Sequence, residues 1–253
     1  MLTLNHITVK FGGLIANNDI SLDIQKGDLF GLIGPNGAGK TTLFNVISGT
    51  LAPTKGEIVF DGRKINGLKP YQINKLGIAR TFQNINLFKD MSVLENVMVG
   101  RHCRTDAGIY SSIFRLPKHK RNEDEITEKS LEFLKFLDLL RYKDMKASSL
   151  SYGQQRRLEI ARALASEPKL ILLDEPAAGM NASEKKELSE IIQKILDTGV
   201  TIILVEHDMK VVLGISHKIA VLNYGKMICL GTPKQVQANE EVVAAYLGGN
   251  SHG

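Results

Sequence analysis

Two cysteines, Cys103 and Cys229, are all that 253 residues contain. They match no metal-ligand or redox spacing, which excludes a disulfide-stapled secreted scaffold and points to a reducing compartment. No uninterrupted apolar run reaches the ~20 residues that a membrane-spanning helix needs. The opening Met1-Leu2-Thr3-Leu4-Asn5-His6 lacks the basic head and long apolar stretch of a signal peptide. Any membrane role is therefore expected to be peripheral. Internal repeats and low-complexity tracts are absent as well. What is present, 43% hydrophobic and 23% charged residues, excludes disorder, and the length suits one large α/β domain or one core with a smaller lobe.

The net charge of +5, from 32 basic and 27 acidic residues, is confined to one stretch. Arg101, Arg104, Arg115, Lys118, Lys120 and Arg121 against Asp106 account for all of it, and Glu123, Asp124, Glu125 and Glu128 follow directly. A uniformly basic footprint is missing, so no nucleic-acid partner is expected. The segment reads equally as a solvated loop balanced by an acidic helix start and as a contact for anionic lipid or a permease loop.

Along the chain, Ile20, Leu22 and Ile24, then Ile58 and Phe60 before the turn Asp61-Gly62, read as short strands of an antiparallel layer. Asp28 to Ile33 is an apolar strand that runs into Gly34 to Gly39, after which Leu43, Val46 and Ile47 recur at helical spacing and Gly49 marks a stop. From about 70 to 165 helical periodicity dominates. Ser92 with Glu95 and Asn122 with Glu125 have capping-box spacing, the latter ahead of the amphipathic Leu131, Phe133, Leu134, Leu137 and Leu140. Strands resume at Lys169 to Asp174 and Val200 to Glu206, with Leu188, Ile191, Ile192, Ile195 and Leu196 as the inward face of the helix between them. Such apolar runs alternating with helices predict a mostly parallel sheet covered on both faces. A hairpin around Tyr224-Gly225 and two short helices close the chain.

Gly34-Pro35-Asn36-Gly37-Ala38-Gly39-Lys40-Thr41 fits the phosphate-loop pattern G-x-x-x-x-G-K-[ST], between a strand and a helix as that pattern requires. Phosphates need a concave ring of backbone N–H groups, which glycines permit, and a helix starting near Lys40 adds its positive dipole end. Lys40 would reach the β and γ phosphates and Thr41 would place a hydroxyl on Mg²⁺, so a nucleoside triphosphate is the expected ligand. Asp174-Glu175 ends a second strand at the carboxyl edge of the sheet, where Asp174 suits a magnesium shell and Glu175 a water aligned on the γ phosphate. His207 ends a third strand at the same edge. Gln83, in Arg80-Thr81-Phe82-Gln83-Asn84, reads by its own chemistry as a surface-loop residue. Leu150-Ser151-Tyr152-Gly153-Gln154 opens a helix with a Ser151–Gln154 capping box. Two readings stand for it: a capped helix with an arginine-rich solvated face, or an anion site aimed at phosphate on another subunit.

The order of these motifs resembles the ATP-binding cassette (ABC) family over nearly the whole chain. The resemblance implies an α/β phosphate-loop NTPase core, an N-terminal antiparallel β layer and an inserted helical subdomain, all within one nucleotide-binding domain spanning 1–253. It places a signalling lobe at about 70–165 and a short helical tail at 239–253. It implies that ATP, held by Gly34 to Thr41 with Thr42, is closed against Ser151, Gly153 and Gln154 of a second cassette, homo- or heterodimeric. Glu175 is then the general base, His207 contacts the γ phosphate, Gln83 contacts magnesium and water together with Thr41 and Asp174, and Phe11 stacks on adenine. Tyr152, in place of the commoner glycine of this motif, and Asn181, in place of aspartate, depart from the usual pattern. Together with Glu206-His207-Asp208-Met209 and Ala245-Tyr246-Leu247-Gly248 they look like the branch that drives bacterial uptake of branched-chain amino acids. That branch implies an ATP-hydrolysing subunit on the cytoplasmic face of the inner membrane, two permease subunits and, indirectly, an extracytoplasmic binding protein. An ATPase of another ABC transporter, or a soluble phosphate-loop kinase or nucleotide switch, is the alternative. A chromosome-associated cassette would need sustained heptads between Lys40 and Asp174, and none occur.

Overall fold

The computed structural model describes residues 1–102 and 117–248. Strands β1 (Leu2–Phe11), β2 (Leu14–Ile24), β4 (Lys55–Phe60) and β5 (Arg63–Lys64) form an antiparallel sheet in the order β2-β1-β4-β5. The second sheet runs β10-β9-β3-β8-β7-β6 and comprises β3 (Leu29–Ile33), β6 (Ile78–Arg80), β7 (Leu170–Asp174), β8 (Thr201–Val205), β9 (Lys218–Asn223) and β10 (Lys226–Gly231). Pairing is parallel from β9 through β6 and antiparallel between β9 and β10.

The helices are α1 (Lys40–Ile47), α2 (Pro70–Leu76), α3 (Val93–Arg101), α4 (Pro117–Phe136), α5 (Tyr152–Leu164), α6 (Ala182–Asp197), α7 (Met209–Ile215), α8 (Pro233–Gln237) and α9 (Glu240–Gly248). Capping boxes close at Ser92 and Ser151 as their spacing predicts, and a further one closes between Asn181 and Glu184. The one expected at Asn122 does not: α4 starts earlier, with Pro117 in its first position, where a fixed φ and a missing N–H cost nothing.

Every residue of β3, β7 and β8 is buried, and alternate side chains serve two cores. Leu29, Ile171, Leu173, Ile202 and Leu204 pack with Val97, Leu134, Leu158 and Ile192 of the helices, whereas Phe30, Leu32, Leu170, Leu172 and Ile203 pack with Leu43 and Phe44 of α1 and with Leu4, Ile20 and Ile58 of the antiparallel sheet. Each fully buried aliphatic side chain contributes about 1.5–3 kcal/mol. One cover of the parallel sheet is thus helical and the other is largely β.

Three features differ from expectation. The strand carrying Ile20, Leu22 and Ile24, β2, is eleven residues long rather than short, and it pairs with the ten-residue β1, which no alternation in the sequence marks. Their alternation is broken by register shifts between Leu4 and Ile7 and again between Ile7 and Val9, with His6 at φ 53°, so a strict period of two is lost. The stretch from 70 to 165 is mostly helical but contributes β6 to the edge of the parallel sheet. Arg101 does not belong to a solvated basic loop: it is buried and pairs with Glu167 at 2.8 Å and Glu125 at 3.5 Å. Arg104, Asp106 and Arg115 lie outside the described residues, as do the side chains of Lys118, Lys120 and Arg121.

Because β3, β7 and β8 are parallel neighbours, their carboxyl ends lie side by side, with Asp174 opposite Val205 and Val205 opposite Leu32. The chain leaves that edge as Gly34–Gly39, Glu175 and Glu206-His207.

Candidate active site

The loop after β3 folds as its glycines require. Gly34 has φ 151° and Gly39 φ 100°; a Cβ on the first would overlap the Leu222 carbonyl and one on the second the Ala16 carbonyl, so no other residue fits either place. The loop turns directly into α1 at Lys40, presenting the N-terminal N–H groups of that helix. Lys40 is only 5% exposed. Its Nζ donates to the carbonyls of Gly34 at 2.7 Å and Pro35 at 2.9 Å. Burial pulls its pKa below the ordinary lysine value, partly offset by the charges of Glu175 and Asp174.

One cavity of about 560 Å³ brings together Phe11, Asn36, Gly37, Ala38, Gly39, Lys40, Thr41, Thr42, Gln83, Glu175 and His207. Gly34 and Pro35 do not line it; their carbonyls accept from Lys40, which does. Phe11 is 49% exposed at the rim, its ring available for stacking. The wall also contains Leu14, Ile15, Ala16 and Tyr224, which the sequence did not single out: Tyr224 reads only as half of a hairpin turn.

Asp174 does not line the cavity: it is buried next to Glu175 in the chain, and its Oδ2 accepts from Arg80 Nη2 at 2.8 Å. Its Oδ1 is buried without any hydrogen-bond partner. An orphaned carboxylate oxygen, the Thr41 hydroxyl and the Gln83 amide are hard oxygen donors, and this set fits Mg²⁺. Glu175, the next residue, sits at φ 49°, a sparsely populated conformation for a glutamate, secured by its N–H donating to the Val205 carbonyl at 2.9 Å. Its Oε1 lies 2.6 Å from His207 Nε2.

Glu206 escaped the sequence reading, since an acid beside a strand-end histidine carries no motif. It is buried, and its two oxygens accept from the N–H groups of Ala177 at 2.6 Å and His207 at 3.2 Å, tying the turn after Glu175 to the one that carries His207. Burial pushes its carboxyl above the usual glutamate value.

Ser151, Gly153 and Gln154 are not brought into this cavity. Ser151 caps α5, accepting from Gln154 N at 3.4 Å, while Gln154 Oε1 accepts from Ser151 N at 3.0 Å and its Nε2 donates to the Tyr142 hydroxyl at 2.9 Å. Ser151 and Gly153 line a separate hollow of about 170 Å³ with Arg157, Met180 and Glu184. The arginines of α5 form no solvated face: Arg156 is fully buried and Arg157 and Arg162 are half-buried.

A sequence profile described as ABC transporter matches residues 17–178. The chain belongs to the ABC transporter family. As a member of that family it binds and hydrolyses ATP. A second profile, described as branched-chain amino acid ATP-binding cassette transporter, matches residues 226–252 of this ABC ATPase. LivG of Escherichia coli K12, a high-affinity branched-chain amino acid transport ATP-binding protein, is 43% identical over 249 residues, 98% of each chain. Among solved structures, the ADP conformation of MJ1267, an ATP-binding cassette of an ABC transporter, superimposes with a TM-score of 0.86 at 35% identity over 98% of both chains. The dimeric cassette MJ0796 bound to ADP and Pi does so with a TM-score of 0.77 at 29% identity, over 92% of this chain and 99% of that one.

Proposed function

We propose that this ABC ATPase is the motor subunit of an importer for branched-chain amino acids, bound peripherally at the cytoplasmic face of the inner membrane. The carrying observation is the separation within one chain of the phosphate cavity from the hollow at Ser151 and Gly153. The two share no lining residue, and on this reading a second cassette, identical or homologous, supplies the Ser151 helix end across the nucleotide. ATP binding closes the pair, hydrolysis reopens it, and two permease subunits take up the movement; an extracytoplasmic binding protein supplies the substrate from the far side. The whole of 1–253 acts as one nucleotide-binding domain, with about 70–165 as its signalling lobe and 239–253 as a helical tail.

Within the site, the N–H groups of the loop and the Lys40 ammonium hold the β and γ phosphates. Lys40 leaves the Gly34 and Pro35 carbonyls to do so. Mg²⁺, when bound through Thr41, Asp174 and Gln83, neutralises charge that develops on the phosphate oxygens. Glu175 accepts the proton of the attacking water, and its constrained backbone aims the carboxylate at that water. The 2.6 Å contact with His207 orients the carboxylate, and the imidazole reaches the γ phosphate. Phe11 stacks on the purine.

Ser151→Ala tests the composite site. Hydrolysis is expected to fall about 10²-fold, the cost of removing one positioned donor to a developing anion, with ATP affinity in a filter or fluorescence titration within about twofold of wild type. Loss of both, or of neither, contradicts the reading.

A further inference from the structure

The loop bearing Gln83 has its backbone held by one pair of side chains on another element. Arg156, in the second turn of α5, is 0% exposed and Glu159 is 1% exposed. Arg156 Nη1 donates to the Phe82 carbonyl and to Glu159 Oε2, both at 2.7 Å, and its Nη2 donates to the Gln83 carbonyl at 2.7 Å. Glu159 Oε1 accepts from the Phe82 N–H at 3.3 Å. Both backbone polar groups of Phe82 and the carbonyl of Gln83 are therefore satisfied by two residues of α5. A planar guanidinium can serve two carbonyls and a carboxylate at once, whereas an ammonium is a point donor.

The pair reaches further. Arg156 Nη2 also lies 3.4 Å from the Tyr152 hydroxyl, one helical turn back on the same face of α5. The Tyr152 ring stands beside Gly179, where a Cβ would come within 3.6 Å of it. Tyr152 is the residue that departs from the commoner glycine of its motif, and Gly179 lies in the turn between Glu175 and α6. The side chain that breaks the pattern thus bridges that turn and the arginine that holds the Gln83 loop. Ser151, at the cap of this same helix, faces outward.

We infer that Arg156, supported by Glu159 and Tyr152, is a positioning residue that makes the Ser151 helix and the Gln83 loop move as one body, so that an event at the partner-facing end of α5 sets the placement of Gln83 at the nucleotide. The inference rests on the proposed role of Gln83. A buried ion pair adds little stability over apolar residues of the same volume; what this one supplies is fixed geometry at a backbone that no other described side chain reaches from α5.

Two measurements on the purified cassette test it. Arg156→Lys keeps the charge and removes the fork. Amide exchange over 82–84 is expected to rise at least about tenfold while the amides of β7 stay unchanged. In steady-state assays kcat is expected to fall about tenfold with the KM for ATP within about twofold, and the same substitution in a Gln83→Ala background to cost less than about twofold. Unchanged exchange at 82–84 would overturn the clamp. Equal losses of kcat in both backgrounds, or a loss carried by KM, would overturn its action through Gln83. If Arg156→Lys does not fold, Glu159→Gln, which keeps an oxygen acceptor for Phe82, serves in both arms with the same expectations. Absence of turnover in the wild-type cassette would instead count against the ATPase reading, and the exchange arm would still decide the clamp.

Discussion

Arg80 Nη2 lies 2.8 Å from Asp174 Oδ2, and both side chains are almost entirely inside the protein. The same guanidinium donates through Nη1 to Asn45 Oδ1 at 2.7 Å and Ser48 Oγ at 3.1 Å, and its carbon stands 5.4 Å from the centroid of the Phe82 ring. Arg80 thereby pins one oxygen of Asp174 and leaves the other, Oδ1, as the unpartnered donor. Arg80→Gln should leave a buried carboxylate uncompensated, at a cost of about 3 kcal/mol. Denaturant unfolding without nucleotide should show that loss, and Mg-ATP should restore part of it. An unchanged midpoint would mean that the pair does not hold Asp174.

Lys40 carries a pH dependence whose sign follows from its surroundings. In the free protein burial lowers its pKa from the ordinary value of 10.5. Phosphate anions raise it again, so the complex holds more protons than the free protein between the two values. ATP affinity is therefore expected to be flat at lower pH and to weaken as pH rises through the lowered pKa, by at most about tenfold per pH unit, with proton uptake on binding. Calorimetric titration in two buffers of different ionisation enthalpy reads that uptake. Lys40→Ala should weaken binding and abolish the uptake; unchanged affinity would remove Lys40 from the phosphate cradle.

Phe11 offers a ring and no hydrogen bond. Phe11→Leu should raise the KM for ATP about five- to tenfold, the equivalent of about 1 kcal/mol of stacking, with kcat unchanged. Phe11→Tyr should behave as wild type. A fall in kcat alone would place this residue elsewhere in the cycle.

The parts of the site that were legible in the sequence are those built from neighbouring residues. Gly34 to Thr41 forms its loop locally, and Asp174-Glu175 and His207 are placed by strands whose apolar runs mark their ends. What the sequence left hidden is held by residues distant along the chain. Arg156 and Phe82 are 74 positions apart, Arg80 and Asp174 94, and Glu206 and Ala177 29. A single arginine or glutamate reads as solvated until the fold shows what covers it. Of the two readings open for α5, the solvated arginine face is the one that burial of Arg156 rules out, and Arg101 is likewise buried and paired. In β1 the obstacle is local: register shifts break the phase of the apolar alternation, concealing that strand and the N-terminal half of β2. Pro117 likewise carries the start of α4 ahead of the capping pattern at Asn122.

Glu175→Gln tests the central claim most directly, since it removes the proton acceptor and keeps the side chain's shape. Phosphate release and ATP binding would be measured on the same preparation, with size-exclusion chromatography in ATP to follow the dimer. Binding within about twofold of wild type, phosphate release slowed at least about 10²-fold and an accumulated ATP-bound dimer are the expected results. Phosphate release at the wild-type rate would contradict the assignment of Glu175 as the general base.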